Sequence, residues 1–176
     1  MMKSSRYIKA LEYATLKHSG QFRTGGLPYI THPISVSEIV CEKGYDEDYQ
    51  IVALFHDLLE DTDATDEEIV ALSNEEVLKS VKLLTKADGY IMKEYVENIK
   101  QNPMAYVVKG ADRLHNLRSA LVTSEEFKRR YILESIDWYI DFMPEIPNAI
   151  KNLATSMNKT IAEMSLKYEY IDENEL

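Results

Sequence analysis

Apolar side chains recur three and four residues apart over most of this chain, the spacing of amphipathic helices. The first such stripe, Tyr7, Ile8, Leu11 and Ala14, predicts a helix over residues 4–17, with Gly20 near its end. Residues 21–29 are rich in Gly and Pro and read as a loop. Thr31-His32-Pro33 opens a second helix, with Pro33 suited to the first helical position and Gly44 as the stop signal. Asp46 is a fitting N-cap for a third helix, which carries Ile51, Leu54, Phe55 and Leu58 on one side and runs on through His56 to Asp61.

Two capping-box patterns follow, Thr65 with Glu68 and Ser73 with Glu76, predicting short helices to about residue 72 and over about 74–84. Further helices are predicted over 89 or 90 to 100 and over 104–121, and from a Ser124 cap to about 142. Pro144 and Pro147 break the chain before a last helix over about 148–168, and Asp172 to Glu175 read as a frayed acidic tail. No stretch alternates with period two. The expectation is an all-α single domain of about eight helices.

Composition narrows the function classes. A chain of 176 residues with 45% apolar residues can bury a real core. The formal net charge of -10 argues against a nucleic-acid binder, which needs a basic face, but leaves room for an anionic substrate in a metal-bearing cleft. The one cysteine, Cys41, excludes an internal disulfide and suits a cytoplasmic protein. No signal peptide or membrane span is legible.

Three separated segments offer metal-type ligands: His32 at a helix start, His56 with Asp57, and Asp112 in a long helix. Alone, His32 or Asp112 reads as an ordinary surface residue. Together, two imidazoles and two carboxylates suit a divalent transition metal at an open octahedral site. Acids placed where a core begins also need a compensating cation.

The set His32…His56-Asp57…Asp112 resembles the H…HD…D signature of the HD-domain metal-dependent phosphohydrolases. More narrowly, residues 18–33, His56 to Thr62 and Ala111 to Arg118 are similar to three motifs of the alarmone hydrolase domain of RelA/SpoT homologues: the opening element, "HDxxEDT" and "ADRLHNxR". The likeness spans about residues 5 to 145. It implies a helical bundle holding one manganese ion through His32, His56, Asp57 and Asp112. The implied reaction removes the 3′-pyrophosphate of (p)ppGpp, giving GDP or GTP and pyrophosphate. Full-length members carry synthetase and regulatory domains for which this chain has no room, so the implied protein is a stand-alone small alarmone hydrolase.

The resemblance also implies roles. Glu60 and Asp61 orient or deprotonate the attacking water, and the adjacent Asp61 points to the alarmone branch. Arg23 matches the arginine that stacks on guanine, and Asn116, with Ser119 on the same helix face, faces ribose or phosphate. Lys86 matches the "TK" element. Lys109 and Arg113 line the site or merely flank it, and His18 and His115 read as structural. Thr24 stands where relatives often carry a basic residue, and Gly110 loosens the helix before Asp112. Rival readings are an HD phosphohydrolase of another nucleoside phosphate or of the NADPH 2′-phosphate, and a nucleotide-binding module without turnover.

Overall fold

The computed structural model describes residues 4–161 and residue 163. These residues form ten α-helices and one 3-10 turn, and their strand-like pairing is confined to an isolated antiparallel bridge between Phe22 and Pro28. The all-α expectation holds. The chain divides into two compact units, Met1–Asp112 and Arg113–Leu176, with the boundary inside a helix.

The first unit contains α1 (Ser5–Lys17), α2 (Thr31–Glu42), α3 (Glu47–Phe55), α4 (Leu58–Asp61), α5 (Asp66–Leu72), α6 (Glu75–Leu84), α7 (Met92–Lys100) and the start of α8 (Pro103–Ser119). Its centre is α3. Ile51, Val52, Ala53, Leu54 and Phe55 are all fully buried, because α1, α2 and α6 surround the helix. The sequence reading gave this helix one buried side and a charged margin. Five consecutive apolar residues instead leave no polar face, which is the pattern of a central helix. Charge is confined to its entry, where Asp46 accepts from the backbone N–H of Asp48 and Tyr49, and Arg6 of α1 pairs with Glu47 and Asp48.

Local signals explain most helix starts. Thr65 and Ser124 cap as predicted, and Thr65 with Glu68 forms the full capping box; Ser4, predicted inside the first helix, caps it instead. The Ser73–Glu76 box does not form. Asn74 lies in extended backbone and its carboxamide oxygen accepts from Val77, while the Ser73 hydroxyl donates back to the Ile69 carbonyl. Pro33 is the third residue of α2 rather than the first, still within the turn whose N–H groups lack helical partners. The helix predicted from residue 89 or 90 starts later, at Met92, because Gly89 turns the chain at φ 73°. The one predicted from residue 104 starts one residue earlier, at Pro103, with the Asn102 side chain accepting from Ala105.

In the second unit, a 3-10 turn over Ala120–Val122 leads to α9 (Glu125–Tyr139), which packs on α10 (Ile146–Ser156). Pro147 does not precede the last helix but sits in its first turn, where the missing N–H is tolerated. That helix stops at Ser156, and Asn158 adopts φ 54°. The rest of the predicted 148–168 helix, apart from residues 157–161 and 163, and the acidic tail lie outside the described residues. Tyr139, Phe142 and Met143 are core, Trp138 is half-buried and Ile140 is exposed.

Arg113 is a buried residue of this unit. Its guanidinium lies 4.1 Å from the ring centroids of both Tyr131 and Tyr139, and Nη2 donates to Glu134 at 2.6 Å. It is thus a packing element of the second unit. Arg113→Lys keeps the charge but loses the planar contact with two rings, and is expected to destabilise by about 2 kcal/mol. Urea unfolding read as a lower midpoint at unchanged slope checks this.

Candidate metal centre

The site is built where α3 ends early. The continuous helix expected through Asp61 breaks after Phe55: His56 and Asp57 form a turn, and α4 begins at Leu58. Asp57 sits at φ -102°, ψ -2°, off the helical centre. The last carbonyls of a helix have no N–H partner within it. His56 answers one of them, its Nδ1 donating to the Ala53 carbonyl at 2.8 Å. That bond assigns the tautomer, so Nε2 is the nitrogen left to face a ligand.

Two other elements meet this turn. His32, in the first turn of α2, is 1% exposed, and Asp112 of α8 is 5% exposed. His32 Nε2 lies 3.2 Å from His56 Nε2, 3.2 Å from Asp112 Oδ1 and 3.7 Å from Asp57 Oδ2. His56 Nε2 lies 3.1 Å from Asp57 Oδ2 and 3.8 Å from Asp112 Oδ1. An octahedral ion with ligands at about 2.1 Å separates neighbouring donors by about 3.0 Å. His32, His56 and Asp57 form a group whose donor atoms all lie within 4.8 Å of one another and could hold one divalent cation, and Asp112 Oδ1 lies within 3.8 Å of both imidazoles. The four predicted ligands converge.

The electrostatics carry the strain of that convergence. Burial drives His32 below the usual histidine range. Burial also works against charge on His56, but Asp57 and Asp112 outweigh it and push its pKa up to about 10. Burial would raise both aspartates. His56 instead holds Asp57 low, and Lys109 with the two histidines holds Asp112 well below the carboxylate range. Without a cation, one imidazolium therefore serves as the counter-charge.

Two residues with no assigned role in the sequence reading, or only an open one, complete the surroundings. Tyr29 Oη donates to Asp57 Oδ2 at 2.6 Å and reaches Asp61 Oδ2 at 3.3 Å. Burial, then Asp57, raises the Tyr29 phenol, so it remains a donor. Its position three residues before His32 was the available signal. Lys109 Nζ donates to Asp112 Oδ2 at 2.9 Å, which places it at the site's edge. His18, read as structural, is buried against Tyr29 with ring centroids 4.8 Å apart and bonds Gln21, whose amide donates to the Asp61 carbonyl.

The remaining candidates differ in placement. Glu60 Oε2 accepts the backbone N–H of Lys86 at 3.0 Å, and burial, then the Asp57 charge, raises the Asp61 carboxyl. Arg23 lies in a tight loop, its N–H donating to the Leu27 carbonyl and its carbonyl accepting from Gly26. Asn116 and Ser119 are half-buried on the part of α8 in the second unit, and the Ser119 hydroxyl donates back to the His115 carbonyl. Gly110 is buried in an α8 that continues without interruption.

A site of this kind, on an all-α scaffold, defines a class. The chain belongs to the HD-domain family, whose model matches residues 10–142. It is similar to the guanosine-3′,5′-bis(diphosphate) 3′-pyrophosphohydrolase of Aquifex aeolicus, at 34% identity over 95% of this chain and 24% of the relative. It is also similar to a GTP pyrophosphokinase rsh of Brucella ovis, at 35% identity over 91% of this chain and 22% of the relative. The chain thus spans about a quarter of the length of these curated relatives. Among solved structures it resembles one described as a metazoan ortholog of SpoT that hydrolyzes ppGpp and plays a role in starvation responses. That match has a TM-score of 0.67 and 25% identity, covering 96% of this chain and 98% of the other. No helix among the described residues is long and apolar enough to cross a membrane.

The raised His56 pKa sets a pH dependence. A histidine held charged in the fold contributes stability below its unfolded pKa of about 6.5, lost as pH rises toward its folded value. The metal-stripped protein is therefore expected to lose stability from neutral pH toward pH 10, a window above that in which His32 titrates. His56→Asn should flatten that loss, measured by denaturant midpoints across the range in the presence of chelator.

Proposed function

We propose that this chain is a single HD-type domain that hydrolyses the 3′-pyrophosphate of (p)ppGpp, giving GDP or GTP and pyrophosphate, with one manganese ion held by His32, His56, Asp57 and Asp112. The observation that carries the reading is the four-donor cluster with an acid pair, Glu60 and Asp61, on the turn of chain directly after it. The likeness to the Aquifex aeolicus pyrophosphohydrolase over 95% of this chain supports the choice of substrate.

A divalent cation bound there would polarise a phosphoryl oxygen and make a nearby water easier to deprotonate. The protein's own groups do the rest. Asp61, its carboxyl raised by burial and by Asp57, is the group to take the proton of the attacking water. Tyr29, shared between Asp57 and Asp61, keeps that carboxylate turned toward the ligand set. Glu60 holds the loop of Lys86 through its backbone N–H while its carboxylate orients the water. Arg23 stacks on guanine, and Asn116 and Ser119 bind ribose or phosphate from the continuation of α8. Exposed Cys41 suits a reducing cytoplasm.

Assay of ppGpp, GTP, deoxynucleoside monophosphates and NADPH side by side with manganese tests the substrate. Pyrophosphate release from ppGpp is the expected result, and its absence overturns the reading. Replacing the acid pair, Glu60→Gln with Asp61→Asn, should leave metal content unchanged and lower kcat by about 100-fold or more. Tyr29→Phe removes the hydroxyl supporting Asp57, and a metal titration should show about tenfold weaker affinity.

A further inference from the structure

A phosphate-rich ligand entering this centre meets Asp57, Glu60, Asp61 and Asp112 on a chain of net charge -10. Positive side chains must therefore be held close by, and held against pairing away with the many acids. Two lysines, one of them bonded to Asp112, place their ammonium groups within 6.0 Å of a single ring. Lys86 Nζ lies 5.1 Å from the Tyr90 ring centroid and 5.7 Å from that of Tyr95, and Lys109 Nζ lies 6.0 Å from Tyr95. Tyr95 is itself 7% exposed, and its hydroxyl donates to the Leu84 carbonyl at 2.8 Å, pinning the ring beneath the loop that carries Lys86. The backbone of that loop is fixed from the other side by Glu60.

We propose that Tyr95 is a specificity-determining positioning residue, whose ring holds Lys86 and Lys109 as a two-point receptor for adjacent phosphates of the substrate. A ring face attracts an ammonium without neutralising it. The Lys86 ammonium rests on its two rings and forms no ion pair among the described residues. It keeps its charge for an incoming anion. Lys109 also bonds Asp112, and an ammonium carries three donors, so that bond is compatible with a phosphate oxygen. Two ammonium groups against one ring offer two positive charges, which favours the more highly charged pyrophosphoryl group over a single phosphate. This rests on the reading of the site as one for phosphate esters.

The test is calorimetric titration of inorganic pyrophosphate and of inorganic phosphate into the manganese-loaded full chain, alongside the KM and kcat for ppGpp. Tyr95→Leu should weaken pyrophosphate binding about fivefold to thirtyfold, raise KM by a similar factor and leave kcat within about threefold, while phosphate binding changes less. Tyr95→Phe, which keeps the ring and loses only the hydroxyl that fixes it, should lose clearly less pyrophosphate affinity than Tyr95→Leu. Wild-type affinity in Tyr95→Leu overturns the proposal, and so does a loss in Tyr95→Phe equal to that in Tyr95→Leu, which would make the residue a packing anchor only. Should Tyr95→Leu fail to fold, Lys86→Gln must lose pyrophosphate affinity at unchanged metal content, and unchanged affinity overturns it equally. Pyrophosphate binding that depends on Tyr95 in a protein inactive on ppGpp upholds this proposal and removes the assigned reaction. Hydrolysis of ppGpp with binding indifferent to Tyr95 does the reverse.

Discussion

Two imidazoles, each within 3.8 Å of both carboxylates, with three of the four residues almost wholly buried, form the interaction on which the first unit turns. Like charges so close repel, and buried charges lose their hydration. The fold tolerates the cluster because three of its four members are held from behind. The Ala53 carbonyl fixes His56, Tyr29 supports Asp57 and Lys109 supports Asp112. These supports also direct the donor atoms inward, so the arrangement that relieves repulsion is the one that prepares a cation site.

The early end of α3 is the enabling feature. Had the helix continued, His56 and Asp57 would project about 100° apart around its axis. The turn at Asp57 lets consecutive side chains share one point, with His56 Nε2 and Asp57 Oδ2 3.1 Å apart. The helix itself is rigidly placed because five residues before the break are enclosed by α1, α2 and α6. A buried, apolar α3 thus fixes the position of a polar site that begins one residue after it.

Within each unit the tyrosines divide the electrostatic labour. Tyr29 gives a hydrogen bond to carboxylates, and Tyr95 offers a ring to ammonium groups. Tyr131 and Tyr139 sandwich the Arg113 guanidinium in the second unit. Two properties of one side chain are used: the polar tip in the first case and the electron-rich face in the others.

Much of this was legible in the chain itself. Helix periodicity, the Asp46, Thr65 and Ser124 caps and the ligand types His32, His56, Asp57 and Asp112 are local signals, written within a few residues of where they act. The tertiary structure alone decided where α3 would stop, that Tyr29 would reach Asp57, and that Arg113 would turn to Tyr131 and Tyr139. Periodicity reports which side of a helix is apolar, but not what lies opposite it. Lys109 finds its carboxylate three residues on in the same helix, a pairing that spacing can show, whereas the two rings against Arg113 come from α9, distant in sequence.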